Sequence, residues 1–296
     1  MSLKKLRVSI DSIDSKILKL LNERAKVTLR VGSVKSRRNE SIYVPERETE
    51  VYKKLADNNK GPLPNAALQA IYREVMSSAL GLEKPIKIAY LGPEFTFTHL
   101  ASMKKFGSSV EYSGCSTITS VFDEVEKGRA DYGVVPIENS VEGAVNHTLD
   151  MFIDSDLKIC SEIYMEISHS LLSRESDIKK IRKIYSKDQV FGQCRLWLEE
   201  HLPGIILVGA ASTSKAAEIA SGERGTACIA SGLAAAKYHL KDLYDSIEDN
   251  AHNVTRFLVI GRTEARQTRK DKTSVMFSLK DRVGALHDIL MPFKKY

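Results

Sequence analysis

The sequence lacks the features that mark membrane, secreted and disulfide-stabilised proteins. It has no apolar run of about 18 residues and no hydrophobic signal segment near Met1, so we expect neither membrane insertion nor secretion. Its four cysteines, Cys115, Cys160, Cys194 and Cys228, are at least 34 residues apart. This spacing is typical of reduced thiols in a cytoplasmic protein, and not of a disulfide framework or a metal site.

Several catalytic motifs are also missing. The chain has no GxGxxG, no GxxxxGK[ST], no HExxH and no GxSxG, so dinucleotide, nucleotide, zinc and serine-hydrolase chemistry lose support. Its seven histidines are scattered without ligand spacing, and most are expected to be surface or capping residues. We therefore expect no metal and no cofactor.

The excess of positive charge is confined to the first part of the chain. Residues 1–83 hold 16 Lys and Arg against 10 Asp and Glu, whereas residues 84–296 hold 28 of each. This segment favours an anionic partner. Nucleic acid would require clustered basic residues with interleaved aromatic residues, but Arg37 and Arg38 are the only adjacent arginines of this segment. A small polyanion is the better interpretation, and a nucleic-acid-binding helical dimer is the alternative.

An apolar stripe runs along the first predicted helix, and its central member is charged. Residues spaced three and four apart from Leu3 to Val34 follow a heptad pattern that Arg24 interrupts. A guanidinium keeps its proton and is costly to bury unless an anion meets it. Arg24 therefore marks a site for a negatively charged ligand, or it is a polar residue that sets the register of a coiled coil.

The remaining pattern divides the chain into a helical part and an α/β part. The first helix extends to about Arg38, a second begins at Pro45, and a third follows Asn65 to about Leu82. The period then changes to alternation, and strands interleave with helices as in α/β proteins. The predicted strands cover residues 86–91, 132–136, 159–167, 181–185, 205–208, 227–229, 254–260 and 273–279.

Several helices of the α/β part are predicted to begin at a hydroxyl residue. Such a residue most simply caps the helix, but helix N-termini at the carboxyl ends of strands also bind anions. The pattern therefore predicts a cleft for a small carboxylate. The residues are Thr96 or Thr98, Ser116 and Thr117, Ser140, Ser212 and Thr213, and Ser231.

Four runs of the α/β part resemble the prephenate dehydratases. They are GPEFTFT at 92–98, PIENS at 136–140, QCRLWL at 193–198 and NVTRF at 253–257. Residues 1–83 resemble the all-helical chorismate mutases. Gly284, Ala285 and Leu286, which open a predicted helix, resemble the ligand-binding start of an ACT regulatory domain. Over nearly its whole length, the chain resembles the bifunctional chorismate mutase/prephenate dehydratases.

This resemblance implies two activities of phenylalanine biosynthesis, from chorismate to prephenate and from prephenate to phenylpyruvate. It implies a mutase domain at 1–84, a two-lobed dehydratase domain similar to periplasmic binding proteins at 85–262, and a linker with an incomplete α+β ACT segment at 263–296. The family's later Glu-Ser-Arg-Pro motif is absent, which argues against a phenylalanine effector site. An inactive sensor of prephenate or of an aromatic amino acid is the alternative.

The resemblance also places six residues in the mutase site. Arg24 and Lys35 share a face of the first helix about 16 Å apart along its axis, whereas Arg7 lies about 25 Å from Arg24 and cannot reach the same ligand. The resemblance therefore implies a homodimer through the helical domain, in which this arginine serves the partner's site. The six residues are Arg7, Arg24, Lys35, Arg47, Glu48 and Glu83.

The implied roles follow the charges of the reaction. Arg7 and Arg24 bind the carboxylates of the substrate, and Arg47 supports the site. Glu48 accepts a hydrogen bond from the ring hydroxyl. Lys35 and Glu83 face the ether oxygen, where negative charge grows in this pericyclic rearrangement. An ionised carboxylate would repel that charge, so we expect Glu83 to work in its protonated form. A solvated residue at a helix end is the alternative for Glu83.

For the dehydratase, the resemblance makes Thr255 the donor to the departing hydroxyl. A threonine is too weak an acid to act alone, so it must donate a hydrogen bond or belong to a relay. Arg256 binds a carboxylate or forms a structural salt bridge. Phe95 stands where the family usually has a small residue, and its ring could crowd the cleft. The polar lining is expected from Thr96, Asn139, Ser140 and Ser212.

Overall fold

Three helices occupy the start of the chain. In the computed structural model, which describes residues 2–38, 40–268 and 271–295, α1 spans Leu3–Arg37, α2 spans Pro45–Asn58 and α3 spans Asn65–Glu83. Pro45 begins α2 because a first helical residue needs no N–H donor. The bounds confirm the three predicted helices.

The apolar stripe of α1 lies on the surface of the single chain. Leu3, Ile10 and Leu20 are exposed, and no residue of α1 is buried. Arg24 is partly exposed at the place where α1 meets α3. The buried seam expected around Arg24 is therefore not formed within one chain, because the shorter α3 covers only one side of α1.

The α/β part contains strands β1 to β11 and helices α4 to α10. The strands are β1 (Lys87–Leu91), β2 (Glu111–Cys115), β3 (Tyr132–Asn139), β4 (Gly143–Ala144), β5 (Lys158–Glu166), β6 (Ser170–Ser173), β7 (Lys183–Ser186), β8 (Ile206–Gly209), β9 (Thr226–Ala230), β10 (Lys241–Tyr244) and β11 (Val254–Gly261). The helices are α4 (Phe97–Phe106), α5 (Ile118–Glu126), α6 (Asn146–Asp154), α7 (Asp188–Gln193), α8 (Arg195–His201), α9 (Thr213–Gly222) and α10 (Gly232–Tyr238). This confirms an all-helical part followed by an α/β part.

The strands form two mixed sheets. The first has the order β2-β1-β3-β11-β5, with β4 paired to β3, and the second has the order β10-β6-β9-β7-β8. In the first sheet, β1 is parallel to β2 and β3, whereas β11 is antiparallel to β3 and β5. The predicted strands of this part are present. The short strands β2, β4, β6 and β10 were not predicted, because they carry few apolar residues or are too short to show alternation.

The chain crosses between the two sheets twice. The first crossover, residues 167–169, leads from β5 to β6, and the second crossover, residues 245–253, leads from β10 back to β11. The crossovers are hydrogen-bonded to each other, since Ile167 N donates to Asn253 O at 2.8 Å and Ile247 N donates to His169 O at 2.9 Å. Side chains on these two segments therefore lie between the sheets.

The helical part shares a core with the first sheet. Tyr43, between α1 and α2, is buried together with Ile88, Phe106 and Tyr132. Its ring centroid lies 4.9 Å from that of Phe106 and 5.2 Å from that of Tyr132. Burying three aromatic rings together favours a fixed arrangement of the two parts.

Residues Arg266–Tyr296 form a compact unit of their own. Helix α11 (Ala285–Lys295) begins directly after Gly284, whose φ is +80°, which confirms the predicted helix start. The strand predicted at 273–279 is wrong, since the described residues have no regular secondary structure there. An alternating segment forms a strand only when a neighbour pairs with its backbone. No helix in the described part of the chain is long and apolar enough to cross a membrane.

Candidate active sites

The ends of α1 and α3 bring a cation and a carboxylate together. Lys35 Nζ lies 3.4 Å from Glu83 Oε2 and donates to Ile42 O at 2.7 Å. The side chain of Glu83 is only 7% exposed, so Glu83 is not the solvated helix-end residue given as its alternative. The pair places an N–H donor beside a carboxyl group at the position where the resemblance implies the ether oxygen of the substrate.

Gly32 allows this close approach of α1 and α3. A Cβ at Gly32 would lie 2.9 Å from Glu83 Cγ, closer than the usual contact of about 3.5 Å or more between carbon atoms. Alanine at this position would otherwise stabilise the helix by about 1 kcal/mol relative to glycine. Gly32 therefore permits the contact with Glu83 at a cost to the stability of α1. The sequence analysis missed Gly32, although a glycine inside a predicted helix is a signal of close packing.

The arginines of the predicted mutase site are spread along the helical part. Arg24 Nη1 donates to Val75 O on α3 at 3.4 Å. Arg47 is exposed and paired with Glu50 at 2.7 Å. Arg7 is exposed on α1, and its position 28 residues before Lys35 corresponds to about 42 Å along the helix axis. A single chain therefore joins Lys35 to Glu83 but does not bring Arg7 to them.

Glu48, on α2, is held by two phenols and one ammonium group. Tyr43 OH donates to Oε2 at 3.3 Å and Tyr52 OH donates to Oε1 at 3.5 Å. Lys105 Nζ, from α4, lies 2.9 Å from Oε2. Burial and the charge of Glu48 raise the pKa of Tyr43 and of Tyr52 above its ordinary value, so both phenols keep their protons and donate.

Thr255 lies on β11 directly opposite Asn139 on β3. Asn139 Nδ2 donates to Thr255 Oγ1 at 2.8 Å and to Asn253 Oδ1 at 2.7 Å. Asn139 Oδ1 accepts from the backbone N–H groups of Val141 at 2.9 Å and Glu142 at 3.0 Å. These backbone donors fix the orientation of the amide, so Thr255 Oγ1 receives a hydrogen bond and its own O–H is directed to another acceptor.

The hydrogen-bond network continues from Asn253 to the second sheet. Gln193 Oε1 accepts from Asn253 Nδ2 at 3.4 Å and bonds His169 Nε2 at 2.7 Å, while Gln193 Nε2 donates to Glu142 Oε1 at 2.8 Å. A carboxylate only accepts, so Glu142 fixes the orientation of the Gln193 amide. His169 must then donate from Nε2, which defines its tautomer.

His169 ends the network on the first crossover. It is 1% exposed, and its Nδ1 has no hydrogen-bond partner within the described ranges. Burial lowers the pKa of His169 from its ordinary value, so the ring is neutral at neutral pH and donates only through Nε2. Five of the seven histidines are exposed, as expected for most of them, whereas His169 and His99 are buried. Sequence spacing gave no signal for His169, because its partner Gln193 is distant in the chain.

Two substitutions of His169 distinguish the role of its Nε2 donor from the role of the shape of its ring. His169→Phe should lower the kcat of the prephenate dehydration that the resemblance implies about 10-fold, because the Gln193 carbonyl loses a buried donor. His169→Gln supplies an amide N–H near the place of Nε2 and should stay within about 3-fold of wild type. Steady-state phenylpyruvate formation from prephenate measures both variants, with mutase turnover and the melting temperature as internal controls. Equal losses in the two variants would show that the ring acts by packing alone.

Three of the predicted lining residues lie at helix starts or at a turn. Thr96 and Ser212 cap α4 and α9, accepting from His99 N at 3.5 Å and Lys215 N at 3.0 Å. The helix predicted to begin at Ser140 is wrong. Ser140 follows β3, and its hydroxyl donates to His252 O at 3.0 Å and accepts from Val254 N at 2.9 Å. This hydroxyl therefore connects the end of β3 to the end of the second crossover.

Arg256 is turned away from Thr255. Successive residues of a strand face opposite sides of the sheet, and Arg256 forms ion pairs with Glu138 on β3 and Glu162 on β5. The structure thus shows the salt bridge that was the alternative for Arg256. Its binding of a substrate carboxylate stays a prediction, which this geometry does not support.

Phe95 adopts a backbone conformation that favours glycine. Its φ is +66°, in the left-handed region that bulky residues rarely occupy. Its ring lies 4.8 Å from Lys237 Nζ of α10, and its carbonyl accepts from Ser231 Oγ at 3.4 Å. Phe95 therefore joins a loop of the first sheet to a helix of the second.

Comparisons with known proteins match both the α/β part and the helical part of the chain. Residues 88–265 match the family model of prephenate dehydratase, and residues 6–84 match that of chorismate mutase type II. The chain is 50% identical over 298 residues to the bifunctional chorismate mutase/prephenate dehydratase of Aquifex aeolicus, covering 99% of this chain and 82% of that protein. It is 36% identical to the prephenate dehydratase of Bacillus subtilis, covering 70% of this chain and 78% of that protein.

A solved structure matches the α/β part. The prephenate dehydratase of Arthrobacter aurescens in complex with L-Phe has a TM-score of 0.66 and 35% identity, covering 71% of this chain and 72% of that one. Among the residues that the structure describes, no group of three or more His, Cys, Asp or Glu side chains is placed to hold a metal ion.

Proposed function

The chain belongs to the family of bifunctional chorismate mutase/prephenate dehydratases, and we propose that its two reactions take place at the two sites described above. It rearranges chorismate to prephenate and then dehydrates and decarboxylates prephenate to phenylpyruvate, in the biosynthesis of phenylalanine. The observation that supports two sites is that Lys35–Glu83 and the Thr255 network lie in separate parts of one chain. Because the first product is the second substrate, one chain carries out consecutive steps.

The mutase site acts by positioning charge. The rearrangement needs a folded conformer of chorismate and donors at the ether oxygen, where negative charge grows. Lys35 Nζ supplies one donor, and Glu83 in its protonated form supplies a second. Arg24 binds a carboxylate, Glu48 accepts the ring hydroxyl, and Arg47 supports the site.

Arg7 completes the mutase site from a second copy of the chain. It lies too far along α1 to reach the Lys35–Glu83 pair of its own chain. The exposed apolar stripe of α1 gives the second copy a surface to cover. The functional unit is thus a homodimer through the helical part, in which each α1 carries Arg7 to the partner's site.

The dehydratase site assists a departing hydroxyl. As the carbon–carbon bond to the ring carboxylate breaks, its electron pair enters the ring and expels the ring hydroxyl, which leaves an aromatic product. Thr255 donates its O–H to the departing oxygen, because Asn139 already donates to Thr255 Oγ1. Thr96 and Ser212, at the N-termini of α4 and α9, line the cleft together with Ser140, and the free N–H groups of these termini suit the carboxylates.

We assign the domain bounds and the regulatory segment on the same basis. The mutase domain covers residues 1–84, the two-lobed dehydratase domain covers 85–262, and residues 263–296 form a linker and the start of an ACT domain. Gly284, Ala285 and Leu286 form its ligand-binding start, where α11 begins. The Arthrobacter protein binds L-Phe, and the assay below includes phenylalanine for that reason.

A coupled assay on chorismate tests the function. Incubation of the full chain with chorismate should give prephenate and then phenylpyruvate, followed spectroscopically, with and without phenylalanine. Prephenate supplied directly should give phenylpyruvate at the dehydratase rate. Tight binding of prephenate with no turnover would support the alternative of a sensor and contradict the proposal.

A further inference from the structure

Helix α4 connects the two catalytic parts of the chain. Its first turn follows the cleft residue Thr96, and its last turn packs against the helical part through Phe106. Next to the buried ring of Phe106, Lys105 reaches across the boundary to α2. Its Nζ lies 2.9 Å from Glu48 Oε2 and 5.8 Å from the centroid of the Tyr43 ring.

The contact of Lys105 with Glu48 is shielded from water. The side chain of Glu48 is 12% exposed and that of Lys105 is 19% exposed, so this ion pair is screened less than a surface pair. The other donors to Glu48 are the neutral phenols of Tyr43 and Tyr52, at 3.3 and 3.5 Å. Lys105 therefore provides the charge that balances this carboxylate within the described chain.

The two oxygens of Glu48 are used unequally. Lys105 and Tyr43 both bond Oε2, whereas among the described residues Oε1 receives only the long hydrogen bond from Tyr52. A carboxylate oxygen accepts two hydrogen bonds, so Oε1 has capacity for the ring hydroxyl of chorismate. Without Lys105, the buried carboxylate would lose its counter-charge and turn toward solvent.

We propose that Lys105, in the dehydratase part, is a positioning residue of the mutase reaction, which holds Glu48 so that Oε1 accepts the ring hydroxyl of chorismate. The inference rests on the proposed role of Glu48. It makes the mutase site depend on a residue outside the segment that resembles a mutase.

Variants of α4 test the inference in the full chain. Lys105→Met keeps the apolar stem and should raise the mutase KM for chorismate about 10-fold, with kcat within about 2-fold, because the ring hydroxyl is bound equally before and during bond rearrangement. Lys105→Arg keeps the cation and should restore KM. Lys104→Met is the matched control, since the exposed Lys104 contacts Tyr164 O at 3.3 Å and not Glu48. Dehydratase turnover of supplied prephenate should be unchanged in all three variants.

A double-mutant cycle with Glu48→Gln shows whether Lys105 acts through Glu48. Glu48→Gln alone should raise KM, and Lys105→Met should add nothing in that background. Additive losses, an unchanged KM in Lys105→Met, or a parallel loss of dehydratase activity would each overturn the inference. If Glu48→Gln had the KM of wild type, the assigned role of Glu48 would be wrong. If Glu48→Gln raised KM and Lys105→Met did not, only the positioning role would be wrong.

Discussion

Thr255→Val should lower dehydratase kcat about 100- to 1,000-fold, because it removes a preorganised donor to the departing hydroxyl. Valine has nearly the shape of threonine and suits the strand β11, so the loss is chemical and not structural. Asn139 Nδ2 keeps its bond to Asn253 in the variant. Prephenate should accumulate from chorismate, since the mutase site shares no side chain with the Thr255 network.

Two comparisons isolate the hydroxyl of Thr255. Thr255→Ser keeps an O–H at the same place and should retain turnover within about 10-fold of wild type, the difference being lost packing of one methyl group. Thr226→Val removes another buried threonine hydroxyl, which donates to Glu223 O at 2.8 Å in the second sheet. It should lower the melting temperature and leave kcat nearly unchanged. Dehydratase turnover near that of wild type in Thr255→Val would refute the assignment of Thr255.

The sequence predicted the elements whose signals are local. The heptad spacing of α1 and the proline that begins α2 are read within a few residues, and both helices have the expected bounds. Thr255 could be proposed as a site residue because the run NVTRF is contiguous. The strand predicted at 273–279 was wrong, since alternation shows that a segment can pair but not that a neighbour is present.

The contacts that orient the Thr255 site could not be predicted from the sequence. His169, Gln193 and Asn253 meet because two crossovers pass between the sheets, and no pattern within a window of residues reports that. The same holds for Lys105 and Glu48, which are 57 residues apart. For Arg256, adjacency in the sequence was misleading. Its place next to Thr255 in the motif suggested a shared site, but neighbours on a strand face opposite sides of the sheet.

Lys35→Met should have the second large effect, a fall of about 100- to 1,000-fold in mutase kcat, because the ether oxygen loses its cationic donor. The methionine fills the space of the lysine stem, so α1 and α3 should stay packed. Supplied prephenate should still give phenylpyruvate at the wild-type rate, whereas chorismate should give almost none. Lys26→Met, on an exposed position of the same helix, is the control and should leave both rates unchanged.

Glu83→Gln distinguishes the role of the carboxyl from that of Lys35. If Glu83 acts as a protonated donor, an amide can replace it, and Glu83→Gln should retain mutase turnover at neutral pH. An inactive Glu83→Gln beside an inactive Lys35→Met would instead assign the ion pair itself, in which an ionised Glu83 holds Lys35 against the ether oxygen.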